Sequence, residues 1–407
     1  MESITEQLDF IFKPKSIAFI GASNSPVKWG GMIIRSALES NFRGKIFPVN
    51  PKEKEIRGLR SYADVNDIEE PVDLAVFTVP AAHMPKVMKS CVEKGIRGGV
   101  IISADFAETG EEGRALEEET RAIAGAGNLR FMGPNCNGMY TSAVGLNISP
   151  MHYKGKGNLA FVSQSGMFGG IAIRASWSRG FGLSKFIAMG NQGDLTAADY
   201  IEYLSEDHDT KVITLYMEGF KDGRRFFDVA RNVTRKKPIL IFKGGSSAVG
   251  ARATLSHTAS IAGEDDVFDG MCRQAGLIRV NQLDHLFIMA EALLGQPLPT
   301  GKRMAVIGNG GQGVTTCDNL AHFGLEMPEF EEADKQRLKE ALPPHAPIPN
   351  NPVDFAAGGQ DMMDEVQVIE KIASFDYIDG IITKLPYIII SIFPTPFYTF
   401  ISTSTTA

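Results

Sequence analysis

The segment from residue 244 to residue 263 carries almost only small side chains, apart from Arg252 and His257. It follows an apolar run, Pro238-Ile-Leu-Ile-Phe242, that is typical of a buried strand. A long loop inside a compact domain is uncommon and usually functional or disordered, and an imidazole can accept a covalent group on a ring nitrogen. We therefore expect His257 to act as a mobile nucleophile. The alternative is a surface loop with an incidental histidine.

Two further motifs could complete a site around this histidine. The turn Ser163–Gly166 follows an apolar strand and precedes a helical stretch, an arrangement in which backbone N–H groups and the helix dipole hold a phosphate. Glu218 follows the apolar run from Val212 to Tyr216, and its carboxylate could accept a hydrogen bond from the imidazole. If the sheet is parallel, the Ser163–Gly166 turn, Glu218 and His257 lie at one edge. The predicted chemistry of such a site is phosphoryl transfer. Taken singly, the turn could be a helix cap and Glu218 a surface acid.

An apolar strand, a Gly/Ser-rich turn and a helical stretch follow one another three times, beginning at Ser16, Leu159 and Met304. Such strands suit a parallel sheet covered on both faces, and each start predicts a doubly wound α/β unit. The predicted fold class is therefore α/β with parallel sheets. The predicted domains are 1–150, 151–298 and 299–407.

The first strand–turn–helix could bind a nucleotide. Its turn begins at Gly21 and does not match G-x-G-x-x-G, the fingerprint of NAD domains. The next strand ends in Asn50-Pro51-Lys52, where an NAD site has an acid, and Lys45 precedes it while Lys54 follows. This basic character suits a nucleotide with an extra ribose phosphate, which both NADP and coenzyme A carry. The alternative is a solvated charged loop.

Composition argues against several classes of protein. The 407 residues carry a formal net charge of −7, so the chain is not built to bind nucleic acid or an anionic membrane. The four cysteines have neither zinc-ligand nor redox spacing, which predicts no metal site in this chain and a cytoplasmic location. The N-terminus lacks the apolar region of a signal peptide. The uncharged stretch from Leu385 contains three prolines, and we expect it to be an aberrant tail of a truncated third domain, not a membrane anchor.

Taken in order, the motifs resemble the alpha subunit of ADP-forming acetyl-CoA synthetase (acetate–CoA ligase, ADP-forming), which is related to the alpha subunit of succinyl-CoA synthetase. The resemblance covers about residues 10 to 380. It rests on Ile20-Gly-Ala-Ser23, Pro48-Val-Asn-Pro51, Gly133-Pro-Asn-Cys136, Ser163-Gln-Ser-Gly166, Gly190-Asn-Gln-Gly-Asp194, Glu218-Gly219, Ser256-His-Thr258 and Asn351-Pro-Val-Asp354.

The resemblance implies a Rossmann-like CoA-binding domain followed by flavodoxin-like, succinyl-CoA synthetase-like domains. It implies that His257 is transiently phosphorylated and that Glu218 stabilises the phosphohistidine. The implied phosphate contacts are Ser163, Gln164, Ser165 and Gly166. The expected CoA contacts are Gly21, Ala22, Ser23, Lys28, Lys45, Asn50, Pro51, Pro80, Ser103 and Asn135.

The implied reaction is acyl-CoA + ADP + Pi giving acid + CoA + ATP, through acyl phosphate and phosphohistidine. ATP or ADP, with Mg²⁺, would bind an ATP-grasp domain on a beta subunit, so the resemblance implies a hetero-oligomer. Succinyl-CoA synthetases have Thr and Tyr where this chain has Met167-Phe-Gly-Gly170, which favours acetate or another monocarboxylate. A CoA-sensing regulatory module and an NADP-dependent oxidoreductase are the alternatives.

Overall fold

The computed structural model describes residues 2–247, 249–250, 264–297, 299–308, 310–355 and 362–383. The chain forms two compact units, Met1–Glu291 and Ala292–Ala407. His257 and the tail from Leu385 lie outside the described residues, so what the sequence predicts for them stays a prediction. The domain boundaries near residues 150 and 298 also stay predictions.

The first part of unit 1 alternates strands with helices. Its elements are α1 (Ile4–Phe12), β1 (Ser16–Ile20), α2 (Trp29–Glu39), β2 (Lys45–Val49), β3 (Glu55–Ile56), β4 (Leu59–Arg60), β5 (Leu74–Phe77), α3 (Met84–Glu93), β6 (Gly98–Ile101), α4 (Glu111–Ala126) and β7 (Arg130–Met132). Five strands form a wholly parallel sheet in the order β2-β1-β5-β6-β7, while β3 and β4 form a small antiparallel ribbon. Every residue of β1 and β5 is buried, because apolar strands of a parallel sheet are covered on both faces.

The second part of unit 1 forms a seven-stranded sheet. Its elements are β8 (Met139–Thr141), β9 (Leu146–Asn147), β10 (Leu159–Ser163), α5 (Phe168–Arg179), β11 (Leu183–Ala188), α6 (Ala197–Glu206), β12 (Val212–Met217), α7 (Gly223–Val233), β13 (Ile239–Lys243), α8 (Asp265–Ala275), β14 (Ile278–Val280) and α9 (Leu283–Gly295). The sheet order is β14-β13-β12-β10-β11-β8-β9. The strands from β14 to β11 run parallel, and β8 and β9 add an antiparallel hairpin at one edge.

Unit 2 is described in part and contains a two-stranded parallel sheet. Its elements are β15 (Met304–Ile307), α10 (Gly311–His322), α11 (Glu332–Lys339), α12 (Met362–Ala373) and β16 (Gly380–Thr383). Its core is formed by apolar side chains from β15, β16, α11 and α12. The α/β class with parallel sheets that the sequence predicts is confirmed. Within the described ranges, no helix combines the length and apolar character needed to cross a bilayer.

Candidate functional site

The carboxyl ends of β10 and β12 lie side by side in the second sheet. Ser163, the last residue of β10, is paired in register with Tyr216 of β12, and Glu218 follows the end of β12. The prediction that the Ser163–Gly166 turn and Glu218 share one edge is therefore confirmed. The chain segment that contains His257 follows β13, which pairs with β12 on its other side.

Gln164 joins the two motifs through hydrogen bonds. Its side-chain Oε1 accepts from the backbone N–H of Glu218 at 2.8 Å and from that of Gly219 at 3.2 Å. Its own backbone N–H donates to the carbonyl of Tyr216 at 3.0 Å. Gln164 was expected to contact phosphate, but its carbonyl oxygen is committed to these two amides. The residue therefore fixes the turn that presents the Glu218 carboxylate.

The Ser163 hydroxyl is also committed within the turn. The side chain is fully buried, and Oγ donates to the carbonyl of Ser165 at 2.6 Å. Ser163 was expected to offer a hydroxyl to phosphate, but burial and this bond direct it to shaping the turn. A buried hydroxyl that already donates its proton has no second donor to give.

The turn also carries backbone amides that could act as donors. Helix α5 begins at Phe168, two residues beyond Gly166, and its first turn is closed by bonds from the N–H groups of residues 168, 169 and 170 to the carbonyls of residues 165, 166 and 167. Within the described part of the chain, the N–H groups of Ser165, Gly166 and Met167 donate no hydrogen bond. Unpaired amides at a helix N-terminus, where the helix dipole is positive, form an anion-binding site.

Tyr216 contacts the Glu218 carboxylate directly. Its hydroxyl donates to Glu218 Oε1 at 3.3 Å, and its ring stacks on Phe168 with centroids 4.1 Å apart. Burial, together with the nearby Glu218 charge, raises the pKa of Tyr216, so the phenol stays protonated and remains a donor. The sequence reasoning missed Tyr216. The two-residue periodicity of a strand that places positions 216 and 218 on one face was the available signal.

The first residues after β13, on the way to His257 in the sequence, lie beside this carboxylate. The backbone N–H of Gly244 donates to the carbonyl of Met217 at 2.7 Å. A Cβ atom at Gly244 would lie 2.8 Å from the Tyr216 hydroxyl and 3.5 Å from Glu218 Cγ. Glycine is required here because any side chain would crowd the phenol. The chain therefore leaves β13 in contact with the acid.

Most of the expected CoA contacts lie at the carboxyl edge of the first sheet. The turn after β1 begins at Gly21, which has φ of +87° and whose carbonyl accepts from Thr78 Oγ1 at 3.1 Å. Asn50 ties the ends of β1 and β2 together, because its Nδ2 donates to the carbonyl of Ala22 at 2.8 Å. Seven of the expected CoA contacts therefore lie at this edge, namely Gly21, Ala22, Ser23, Lys28, Asn50, Pro51 and Pro80.

Ser103 and Asn135 extend the same edge across β6 and β7. Ser103 Oγ donates to the carbonyl of Val79 at 2.5 Å, and the Ser103 carbonyl accepts from the backbone N–H of Asn135 at 2.8 Å. Asn135 is exposed and has φ of +54°, a left-handed conformation that is uncommon outside glycine and marks functional sites. Both residues therefore join the expected CoA contacts in space.

Lys45 lies away from the other expected CoA contacts. It is the first residue of β2 and pairs in register with Ser16, the first residue of β1. The other expected contacts follow the carboxyl ends of the strands, so Lys45 lies at the opposite edge, about 13 Å away along β2. Its ammonium forms a salt bridge with Glu70. The expectation that Lys45 contacts CoA disagrees with this geometry.

The segment from Gly133 to Gly138 connects the two edges. At one end Asn135 bonds the Ser103 carbonyl, and at the other the Asn137 side chain packs so closely on Gly166 that a Cβ there would overlap it. The backbone N–H of Asn191, in the loop after β11, donates to the carbonyl of Pro134 at 2.9 Å. Two residues span at most about 7 Å, so the expected CoA edge and the amides of the Ser163–Gly166 turn border one region.

Comparison with known proteins finds two family models that match successive parts of the chain. The model of the CoA binding domain family matches residues 15–142, and the model of the succinyl-CoA ligase like flavodoxin domain matches residues 156–293. The fold and these two family matches therefore place the chain in the CoA ligase class.

Two curated relatives and one solved structure narrow the class. The alpha subunit of acetate–CoA ligase (ADP-forming) II from Pyrococcus furiosus is 42% identical over 354 residues, which cover 87% of this chain and 77% of that subunit. Acetate–CoA ligase (ADP-forming) II from Archaeoglobus fulgidus is 41% identical over 85% of this chain and 52% of its own length. The dinucleotide-forming acetyl-coenzyme A synthetase 1 of Ca. Korarchaeum cryptofilum, solved with phosphate and ADP, is 34% identical with a TM-score of 0.87, covering 92% of this chain and 81% of that one.

The chain belongs to the family of ADP-forming acetate–CoA ligase alpha subunits. It spans about three quarters of the Pyrococcus subunit and about half of the Archaeoglobus relative. The resemblance carried by the motifs is therefore confirmed, and the oxidoreductase alternative loses its basis.

Proposed function

We propose that this chain is the CoA- and phosphate-handling subunit of an ADP-forming acyl-CoA synthetase. The observation that carries the proposal is the group of open amides at Ser165, Gly166 and Met167 beside the buried Glu218 carboxylate. An anion site and an acid at one sheet edge are what a phosphohistidine reaction needs, because the phosphoryl group must be held while the cationic imidazole is stabilised.

The first step uses both halves of unit 1. Inorganic phosphate attacks the thioester carbonyl of the acyl-CoA, the carbon–sulfur bond breaks, and acyl phosphate and CoA are formed. The open amides of the Ser163–Gly166 turn would hold the phosphate, and the carboxyl edge of the first sheet would hold CoA. The connection through Asn135 and Asn137 supports this step, because ligands bound at the two edges would lie side by side.

In the second step, a ring nitrogen of His257 attacks the phosphorus of the acyl phosphate, and the carboxylic acid leaves. Glu218 would accept a hydrogen bond from the other ring nitrogen and stabilise the charged phosphohistidine. His257 lies thirteen positions after Gly244, and an extended chain over that many steps reaches about 45 Å. The connecting sequence is therefore long enough to bring the ring to Glu218 and to present it elsewhere.

In the third step the phosphoryl group passes from His257 to ADP. The nucleotide and Mg²⁺ would be held by an ATP-grasp domain on a beta subunit, and the name "subunit alpha" of the Pyrococcus relative supports such a partner. We propose acetate as the acid, because the family relatives are named for it and because Met167 and Phe168 replace the Thr and Tyr of succinyl-CoA synthetases. A cytoplasmic location belongs to the same proposal.

The experiment measures ATP formed from acetyl-CoA, ADP and phosphate by the full chain with its beta subunit. His257→Ala should abolish ATP formation, and Glu218→Gln should lower it by at least about tenfold, since a charge-assisted hydrogen bond is worth about 1.5–3 kcal/mol. His208→Ala is the matched control, because His208 is exposed in the turn before β12. Full activity in His257→Ala would overturn the proposed carrier.

CoA binding has its own pair of variants. Lys28 precedes α2 at the carboxyl edge of the first sheet, whereas Lys45 lies at the opposite edge. Lys28→Ala should weaken CoA binding in calorimetry by about tenfold, if it contacts a CoA phosphate, and Lys45→Ala should leave it unchanged. Equal losses in both variants would contradict the proposed orientation of CoA on the sheet.

A further inference from the structure

A separate cavity lies at the amino edge of the first sheet. It has a volume of about 700 Å³ and is lined by residues of unit 1 from 14–15, 41–45, 140–145 and 154–156. Lys15 and Lys45 place it beside the starts of β1 and β2, and the expected CoA contacts follow the ends of these strands, about 13 Å away. The cavity is therefore distinct from the region proposed for the ligase reaction, and a ligand bound in it would take no part in that reaction.

Every charged side chain that lines this cavity is basic. The five are Lys15, Arg43, Lys45, Lys154 and Lys156. The chain as a whole has 48 Asp and Glu against 41 Lys and Arg, so the cluster runs against the composition. A concave surface with charges of one sign concentrates the electrostatic potential and attracts a ligand of the opposite sign.

Four of these cations have no counter-ion among the described residues. Lys45 pairs with Glu70, whereas Lys15, Arg43, Lys154 and Lys156 form no salt bridge there. The Asp73 carboxylate lies near Lys15, but it accepts from the Lys15 backbone N–H at 2.7 Å and not from the ammonium. Four exposed cations without a counter-ion around one concave surface give it a positive potential, which favours the binding of an anion.

We propose that this cavity binds a small molecule that carries a diphosphate group. One phosphate group brings about −1.5 to −2 charges, so two linked groups are needed to balance four cations. The volume falls in the range of small-molecule sites, about 300–1,000 Å³, and exceeds what a single phosphate fills. Arginine and lysine are the side chains that bind phosphate oxygens best. Free pyrophosphate and a nucleoside diphosphate share this chemistry.

The half-buried ring of Phe42 adds an apolar surface to the same cavity. A nucleoside diphosphate could place its base on this ring, whereas pyrophosphate has nothing to place there. The two sources are therefore distinguishable by affinity.

Isothermal titration calorimetry with the full chain tests the proposal. Pyrophosphate, and separately ADP, is titrated into protein that is already saturated with CoA, at constant ionic strength. The double variant Lys154→Ala/Lys156→Ala removes two cavity cations. The matched control is Arg231→Ala/Arg235→Ala, which removes two exposed positive charges on and just beyond α7. Neither residue lines the cavity. All four side chains are exposed, so both variants should fold.

We expect saturable binding of pyrophosphate that weakens by about tenfold or more in the cavity variant, as expected when charge-assisted contacts are lost. The control variant should bind as the unaltered chain does. Equal affinities for pyrophosphate and ADP would identify the diphosphate alone as the recognised group. Tighter binding of ADP would show that the nucleoside also contributes, as expected if its base contacts Phe42. Absence of saturable binding, or equal weakening in both double variants, would overturn the proposal.

Discussion

The strongest structural prediction concerns Gln164, because its side-chain oxygen joins the Ser163–Gly166 turn to the residues that carry the Glu218 carboxylate. Its Oε1 accepts from the backbone N–H groups of Glu218 and Gly219 at 2.8 and 3.2 Å. Gln164→Met keeps the side-chain volume but removes the acceptor. Each lost hydrogen bond is worth about 0.5–1.5 kcal/mol net, so the free energy of unfolding should fall by about 2 kcal/mol. For the unit Met1–Glu291 that lowers Tm by roughly 3 °C.

Gln164→Glu is the matched control for stability. It keeps an acceptor oxygen in the same place, so thermal unfolding followed by circular dichroism should show a Tm near that of the unaltered chain. It also adds a negative charge beside the open amides of the turn, so KM for phosphate should rise while Tm holds. If Gln164→Met unfolds at the unaltered temperature, or Gln164→Glu loses as much stability as Gln164→Met, the assigned role is refuted.

Three further variants test other contacts. Tyr216→Phe removes the donor to Glu218 Oε1, and kcat should fall by about tenfold with KM for CoA unchanged, which steady-state kinetics would show. Lys185→Met leaves the buried Asp207 carboxylate without the ammonium that lies 2.6 Å away. Urea unfolding should show that the free energy of unfolding falls by about 3–5 kcal/mol. A decrease below about 1 kcal/mol would contradict a buried ion pair at this position. Burial raises the pKa of Glu117, so the stability that its protonated form contributes is present below the ordinary glutamate pKa and is lost as pH rises through the raised pKa. Glu117→Gln should therefore gain stability relative to the unaltered chain as pH rises above about 4. A difference in stability that does not change with pH would contradict this.

Strand positions and the shared edge could be predicted because they depend on local sequence. The runs that begin at Ser16, Leu159 and Met304 are apolar and are closed by small turn residues, and all three form strands as predicted. Once the sheet is parallel, its carboxyl ends share an edge. That rule was sufficient to bring Glu218 and the Ser163–Gly166 turn together.

The details that the sequence did not foresee depend on information that sequence spacing does not carry. Lys45 is close in sequence to Asn50, but it begins β2 whereas Asn50 follows it, so the strand itself separates them. The Ser163 hydroxyl donates to the backbone within its own turn, and the Gln164 side-chain oxygen accepts from the backbone at the end of β12. Which polar side chain of a turn remains open to a ligand is decided by such tertiary contacts.

The central claim is that one histidine carries the phosphoryl group between the acyl phosphate and ADP. Its most direct test is mass-spectrometric assignment of the phosphorylated residue after the full chain and its beta subunit are incubated with ATP and Mg²⁺ and quenched in base, where phosphohistidine survives. We predict a single phosphorylated peptide, modified at His257, with a lower yield in Glu218→Gln. Modification at another residue, or none while the enzyme turns over, would contradict the account.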